Sequence, residues 1–164
     1  MKKNNKAVYI IFGVSGTGKT TIGKLLAEKL EIPFYDADDF HPKENVEKMS
    51  NGIPLNDEDR SPWLQTLAKE IEFWSENGGA VLACSALKQS YRNILQTYKK
   101  VEWIFLEGEF DLIYNRINQR KGHYMGSDML QSQFDTLEEP ITGIKVSIIP
   151  SPKEIVENII SKIN

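Results

Sequence analysis

Cysteine is nearly absent. Cys84 is the only one in 164 residues, so the chain can close no internal disulfide and hold no cysteine-rich metal site. The expected setting is therefore a reducing one, the cytoplasm. An excess of one charge is lacking too. Lysine and arginine number 20 against 23 aspartates and glutamates, a formal net charge of −3 that provides no basic field for nucleic acid. Basic residues are scattered except in the opening MKKNNK. No apolar run nears the roughly 20 residues that a membrane helix needs, so no membrane association is expected. The short apolar run after MKKNNK leads directly into a glycine-rich turn without a small-residue cleavage pattern, and it reads as a buried strand rather than a signal sequence. Internal repeats, low-complexity tracts and linkers are also missing. At 40% hydrophobic and 26% charged residues the composition is that of an ordinary globular chain, and one domain over residues 1–164 is expected.

What is present is alternation. AVYIIF is a strand pattern, and TIGKLLAEKL after it repeats Ile22, Leu25, Leu26 and Leu30 at helical spacing. IPFYDAD reads as a short strand ending in carboxylates, and KENVEKMSNG as a short helix closed by Gly52. In SPWLQTLAKEIEFWSENGG, Ser61 is the expected N-cap and Pro62 the first helical residue. AVLACS (strand), QSYRNILQTYKK (helix), VEWIFLEG (strand), EFDLIYNRINQRKG (helix), IKVSII (strand) and PKEIVENIISKI (helix) complete the series. The pattern predicts an α/β fold in three layers, a mostly parallel sheet with helices on both faces. Only KGHYMGSDMLQSQFDTLEEPITG lacks a clear period, and it reads as a functional lid or a loosely ordered connection.

GVSGTGKT matches G-x-x-x-x-G-K-[ST] between a predicted strand and a predicted helix, the context in which that spacing has a mechanism. Glycines let the backbone curl until its N–H groups point at phosphate oxygens, and the helix start adds open donors and a positive dipole end. The residues expected to bind nucleotide here are Gly13, Val14, Ser15, Gly16, Thr17, Gly18, Lys19, Thr20 and Thr21. Lys19 would reach the β- and γ-phosphates, and the Thr20 hydroxyl would be a ligand for Mg²⁺.

The D-x-x-G and N-K-x-D segments of a guanine-nucleotide switch are missing, which favours ATP. An ATPase strand would end in an acid, whereas AVLACS ends in Cys84 and Ser85. The acids stand instead in YDAD. Asp36 and Asp38, two apart on an extended segment, would point the same way, one as base for an attacking hydroxyl and one toward the metal or its waters. As turn or cap residues they would have a purely structural explanation. Arg116 and Arg120 lie four apart on one helical face ahead of the lid, placed to neutralise phosphoryl charge or simply to solvate a helix end.

With those residues in view, the chain resembles the small gluconate kinases, relatives of shikimate and adenylate kinases in the P-loop kinase group. The resemblance runs from about Val8 to Pro140. GVSGTGKTTIGKLLAEKL is shared with the wider group, while DADDFHPKENVEKMSNGIPLNDEDRSPWL, CSALKQSYRNIL and RKGHYMGSDMLQSQFDTLEEP are more particular. The resemblance implies a five-stranded parallel sheet, a mobile lid over roughly residues 121–140, a homodimer, and transfer of the ATP γ-phosphate to the 6-hydroxyl of D-gluconate. It puts Asp38 at the substrate hydroxyl, which leaves Asp36, with the loop's Thr20, for Mg²⁺. Lys19 and Arg120 join Asp38 in catalysis. Arg60, Lys88 and Arg92 fall on the acceptor side, where a carboxylated polyol needs cations, and His41 and Asn45 are candidate hydroxyl partners, with a helix-start role the alternative for His41. Trp63 and Trp74 read as core, and Cys84 as a buried strand end. Two positions depart from the family: Ala37 stands where a glycine is common, and Ile149-Pro150 replace an acid and a glycine in a loop expected near the adenine. Other acceptors, such as shikimate or a nucleoside monophosphate, and a non-catalytic ATP-binding role are the competing readings.

Overall fold

A computed structural model describes residues 7–96, 101–119 and 126–163. Five parallel strands form one sheet: β1 (Val8–Phe12), β2 (Phe34–Asp36), β3 (Ala80–Ala83), β4 (Val101–Glu107) and β5 (Ile144–Ser147), in the order β2-β3-β1-β4-β5. Strand β1 is central and all five of its residues are buried, as an uninterrupted apolar run requires when both faces of a sheet are covered. Its side chains alternate between two cores. Tyr9 and Ile11 join Ile22, Leu26, Ile113 and Ile159 on one face, while Val8, Ile10 and Phe12 join Trp63, Leu67, Ile71 and Leu95 on the other.

The first face is covered by α1 (Lys19–Leu30), α5 (Phe110–Gln119), α6 (Ser127–Thr136) and α7 (Pro152–Ile163), and the second by α3 (Asp57–Glu76) and α4 (Gln89–Leu95). A short α2 (Lys43–Ser50) follows β2. The three-layer α/β fold with five parallel strands is thus the observed one.

Three local expectations need correction. Helix α3 starts at Asp57, not after Ser61. Asn56 Oδ1 accepts the Asp59 N–H at 2.8 Å and the Asp59 carboxylate accepts the Asn56 N–H at 3.0 Å, a reciprocal cap that Ser61 cannot match. Pro62 therefore lies inside the helix, near enough its start to cost a single backbone bond. The aperiodic segment contains α6, a ten-residue helix whose fully buried Leu130 is its main anchor in the core. Finally, Asp38 is not on an extended segment. It lies in a 3₁₀ turn, Ala37–Phe40, that begins when the Asp36 carboxylate accepts the Asp38 N–H at 3.0 Å. Ala37 in that turn is free of the left-handed conformation, so its side chain causes no strain, and it is fully buried.

Candidate active site

The carboxyl ends of β1, β2 and β3 open on one cleft of about 430 Å³, lined by Ser15, Gly16, Gly18, Lys19, Thr20 and Thr21 from the turn after β1. Asp36, Asp38 and Arg60 line it from the β2 side, Ala83, Cys84, Ser85 and Leu87 from β3, and Gln133 from α6. This is where an open parallel sheet collects its ligands.

The turn is held in the shape that its spacing predicts. Gly16 has φ 83°, and a Cβ there would meet the Ile117 side chain at 2.5 Å, so conformation and close approach to α5 both require glycine. Gly13 and Val14 do not line the cleft. Their carbonyls accept the Lys19 ammonium at 3.0 and 2.9 Å, which folds the lysine back along the loop. The buried Thr17 hydroxyl also donates to the Val14 carbonyl, at 3.0 Å. The first helical bond of α1 runs from the Ile22 N–H to the Gly18 carbonyl at 2.8 Å, which leaves the amides of the first turn open toward the cleft. Burial lowers the Lys19 pKa to about 8, against the opposing pull of Cys84, Asp38 and Asp36. An enclosed ammonium short of counter-charge, beside open helix amides, suits a polyanion.

Asp36, Thr20 and Asp38 line the same cleft as Lys19. The Asp38 pKa is raised, first by partial desolvation of a side chain that stays largely exposed and then by Asp36, with His41 and Lys19 opposing. No cluster of three or more His, Cys, Asp or Glu suited to a metal occurs among the described residues. The hydroxyl and carboxylate of Thr20 and Asp36 in this lining are a donor set that fits Mg²⁺, which uses one or two protein oxygens alongside phosphate and water. The Cys84 thiol is buried and pushed up to about 12, chiefly by desolvation, so it is no nucleophile.

His41 is almost enclosed, its side chain 4% exposed and stacked on Trp63 at 4.3 Å. The Asn45 amide nitrogen donates to the Asp59 carbonyl at 2.8 Å and meets His41 Nδ1 at 3.1 Å, so Nδ1 must be the acceptor. The proton then sits on Nε2, which faces Asp38 at 3.8 Å. Desolvation lowers the His41 pKa and keeps this neutral form. Trp63 is buried core as expected, and its indole N–H fixes the 3₁₀ turn by donating to the Ala37 carbonyl at 2.7 Å.

Arg60 stands at the cleft's edge, donating to the Leu55 carbonyl at 3.0 Å and the Tyr91 hydroxyl at 3.3 Å. Beyond it a second hollow of about 480 Å³ is lined by Leu55, Asn56, Asp57, Glu58, Arg60 and Lys88. Lys88 reaches Asp57 at 3.3 Å, and the Tyr91 hydroxyl donates to the same carboxylate oxygen at 2.6 Å. These two bonds, Tyr91 first, lower the Asp57 pKa.

Arg92 is placed differently from expectation. It is buried, lies outside the cleft and is committed to protein: Nη1 donates to the Ala86 carbonyl at 2.7 Å, Nη2 to the Glu138 carbonyl at 2.6 Å, and the guanidinium covers the Phe12 ring at 4.9 Å. It ties the chain beyond α6 to the turn after β3, where Ala86 has φ 39°. Arg116 lines a third hollow of about 470 Å³ with Gly16, Gly18, Ile149 and Pro150, so the loop of the Ile149-Pro150 departure borders the phosphate turn. Arg120 and residues 121–125 of the expected lid lie outside the described residues.

Sequence reasoning overlooked Tyr91, Asp57 and Gln133. Tyr91 and Asp57 sit inside the quoted motifs, but side-chain pairs 34 residues apart leave no periodic signal. Gln133 is invisible until α6 is recognised as a helix.

Comparison with known proteins gives a consistent result. Residues 15–164 match the family model described as shikimate kinase. A probable gluconokinase of Mus musculus is 44% identical over 90% of this chain and 92% of its own length, and the thermoresistant gluconokinase of Escherichia coli is 43% identical over 90% and 87%. The crystal structure of a gluconokinase from Sinorhizobium meliloti 1021 superposes with a TM-score of 0.86 at 36% identity, covering 97% of this chain and 92% of that one. The shikimate kinase of Aquifex aeolicus, at 19% identity and a TM-score of 0.61, shares the fold.

Proposed function

Because this chain belongs to the gluconokinase family, within the wider group described by the shikimate kinase model, we propose that it transfers the γ-phosphoryl group of ATP to the 6-hydroxyl of D-gluconate. The observation that carries this reading is the meeting of Lys19 and Asp38 in one cleft that has Arg60 in its lining, with Lys88 in the hollow that Arg60 shares with it. The open amides of the loop and α1 bind the triphosphate, and Lys19 moves from its carbonyl partners onto the phosphate oxygens. Asp38 accepts the proton of the attacking hydroxyl. Its raised pKa makes it a better base than an ordinary carboxylate. His41 presents Nε2–H as a donor to the acceptor's hydroxyls or to Asp38, and with Nδ1 occupied it does not compete as base. Arg60 and Lys88 orient the gluconate carboxylate. Thr20 and Asp36 would hold Mg²⁺, which would supply charge neutralisation for the phosphates. Arg116 extends the cationic lining on the nucleotide side, and Arg120 is proposed as a further cation for the phosphoryl charge.

The proposed setting is the cytoplasm, in keeping with a lone buried thiol, and the proposed assembly is a homodimer, checked by light scattering. An ADP-release assay with Mg-ATP across gluconate, shikimate, a nucleoside monophosphate and other sugar acids tests the function, with Asp38→Asn as control. Gluconate should be strongly preferred, and the variant should lose about 10²–10⁴-fold in turnover. Turnover with shikimate but not gluconate would overturn the acceptor, and an active Asp38→Asn would overturn the base.

A further inference from the structure

We propose that Gln133 is a positioning residue for phosphoryl transfer, a side-chain latch that fixes helix α6 onto the phosphate loop. The proposal rests on the kinase reading above. Gln133 Oε1 accepts the Ser15 N–H at 2.7 Å, and Gln133 Nε2 donates to Ser15 Oγ at 3.0 Å, a paired contact across 118 residues. One amide thus answers one residue's donor and its hydroxyl together, which fixes the orientation of both. Of the polar side chains long enough to reach, only an amide does this. A lysine or arginine could not accept the Ser15 N–H, and a carboxylate could not donate while placing negative charge where a triphosphate must come.

The latch has a fixed base. Just beyond α6, the Glu138 N–H donates to the Leu87 carbonyl at 2.8 Å, and its side chain accepts the Gln89 N–H at 2.7 Å. Arg92 holds the Glu138 carbonyl from below. Helix α6 is therefore moored at its C-terminal end to the turn after β3 and, through Gln133, to the loop after β1. Leu130, almost one turn before Gln133, is buried in the core, and Phe134 packs on Phe110 at 5.7 Å between centroids.

Two consequences follow for the reaction. The Ser15 N–H belongs to protein, so the phosphates are left to the later loop amides and the start of α1. Gln133 also lines the same cleft as Asp38, where its side chain takes up space that water would otherwise fill. Loss of the latch should then harm transfer more than binding and should admit water as a competing acceptor.

The test compares Gln133→Ala and the volume-keeping Gln133→Met with the parent enzyme. The expected result is a roughly tenfold or greater loss of kcat for gluconate, with both KM values within about threefold. Gluconate-independent ATP hydrolysis should rise about tenfold relative to transfer. Gln133→Glu, which still accepts from Ser15 but adds charge, should instead raise the KM for ATP. The Ser15 amide resonance, recorded with Mg²⁺ and a non-hydrolysable ATP analogue, should move upfield in Gln133→Ala and Gln133→Met and stay near the parent position in Gln133→Glu. An unchanged hydrolysis-to-transfer ratio in a folded Gln133→Met, or an unmoved Ser15 amide, would overturn the latch. A purely structural role would lower both activities together without changing their ratio. If the parent enzyme proved unable to use gluconate, the acceptor assignment would fall, while the Ser15 amide would still decide whether the latch exists.

Discussion

The two ends of the cleft are built in opposite ways. The phosphate end is made of backbone: loop amides, the open turn of α1, and two carbonyls that hold Lys19. The acceptor end is made of side chains drawn from distant elements, with Asp57 and Arg60 on α3 meeting Lys88 and Tyr91 at α4. A backbone cradle recognises any triphosphate tail and needs only glycine where φ is positive. A web of side chains recognises one acceptor's shape, and each of its members can be changed without disturbing the sheet. On the proposed function, reaction class would therefore reside at the first end and substrate choice at the second.

The largest effect expected from this contrast is at Lys19. Lys19→Met should lower kcat/KM by about 10²–10⁴-fold, since it removes the charge that follows the transferring group. It should also raise the thermal midpoint of the ligand-free protein. The folded pKa of about 8 lies below the unfolded value of 10.5, so below pH 8 the folded chain bears the whole cost of burying an ammonium. Between pH 8 and 10.5 the unfolded state binds more protons, and wild-type stability rises as that cost is relieved. The advantage of Lys19→Met in calorimetry should thus be greatest below pH 8 and shrink toward pH 10.5. A variant less stable than wild type at pH 7 would show that the lysine's carbonyl bonds outweigh its desolvation.

The same contrast explains what could be read from the sequence. The loop and the alternating elements were legible because local spacing encodes them, as with Gly13, Gly18 and Lys19, or the helical repeat of Ile22 and Leu26. Asp36 and Asp38 were found by position, but their geometry was misjudged because a capping carboxylate turned an extended segment into a 3₁₀ turn. Arg92 was placed by its motif on the acceptor side. Its long-range partners, the carbonyls of Ala86 and Glu138, have no sequence signature.

Arg92 consequently sharpens the comparison at intermediate size. If it anchors the chain after α6, Arg92→Met leaves two carbonyls without their donor and should cost about 1–3 kcal/mol of stability. That is roughly 2–12 °C in thermal midpoint for a chain of this length. The KM for gluconate should stay within about threefold, because no acceptor contact is lost. A tenfold rise in that KM with normal stability would return Arg92 to the acceptor's carboxylate.

The smallest effect is expected at Tyr91, and it separates recognition from scaffold most finely. The hydroxyl donates to Asp57 Oδ1 at 2.6 Å and accepts from Arg60 Nη1 at 3.3 Å, so it fixes the distance between an acid and a cation at the acceptor's edge. Its ring also lies near the charges of Lys88 and Arg60, at 5.5 and 5.7 Å. Tyr91→Phe keeps the ring and removes the hydroxyl alone. Arg60 keeps the Leu55 carbonyl and Asp57 keeps Lys88, so neither charge is stranded. What is lost is their mutual alignment, worth about one ordinary hydrogen bond, or roughly a three- to tenfold rise in the KM for gluconate. The KM for ATP, set at the backbone end, should not move. Asp57 should also titrate nearer the ordinary carboxylate range, since Tyr91 is the first cause of its lowered pKa. The effect of the substitution on gluconate binding should then grow as pH falls toward that range. Equal changes in the two KM values would mean that the ends of the cleft are coupled through α4, and the division between class and choice would have to be redrawn there.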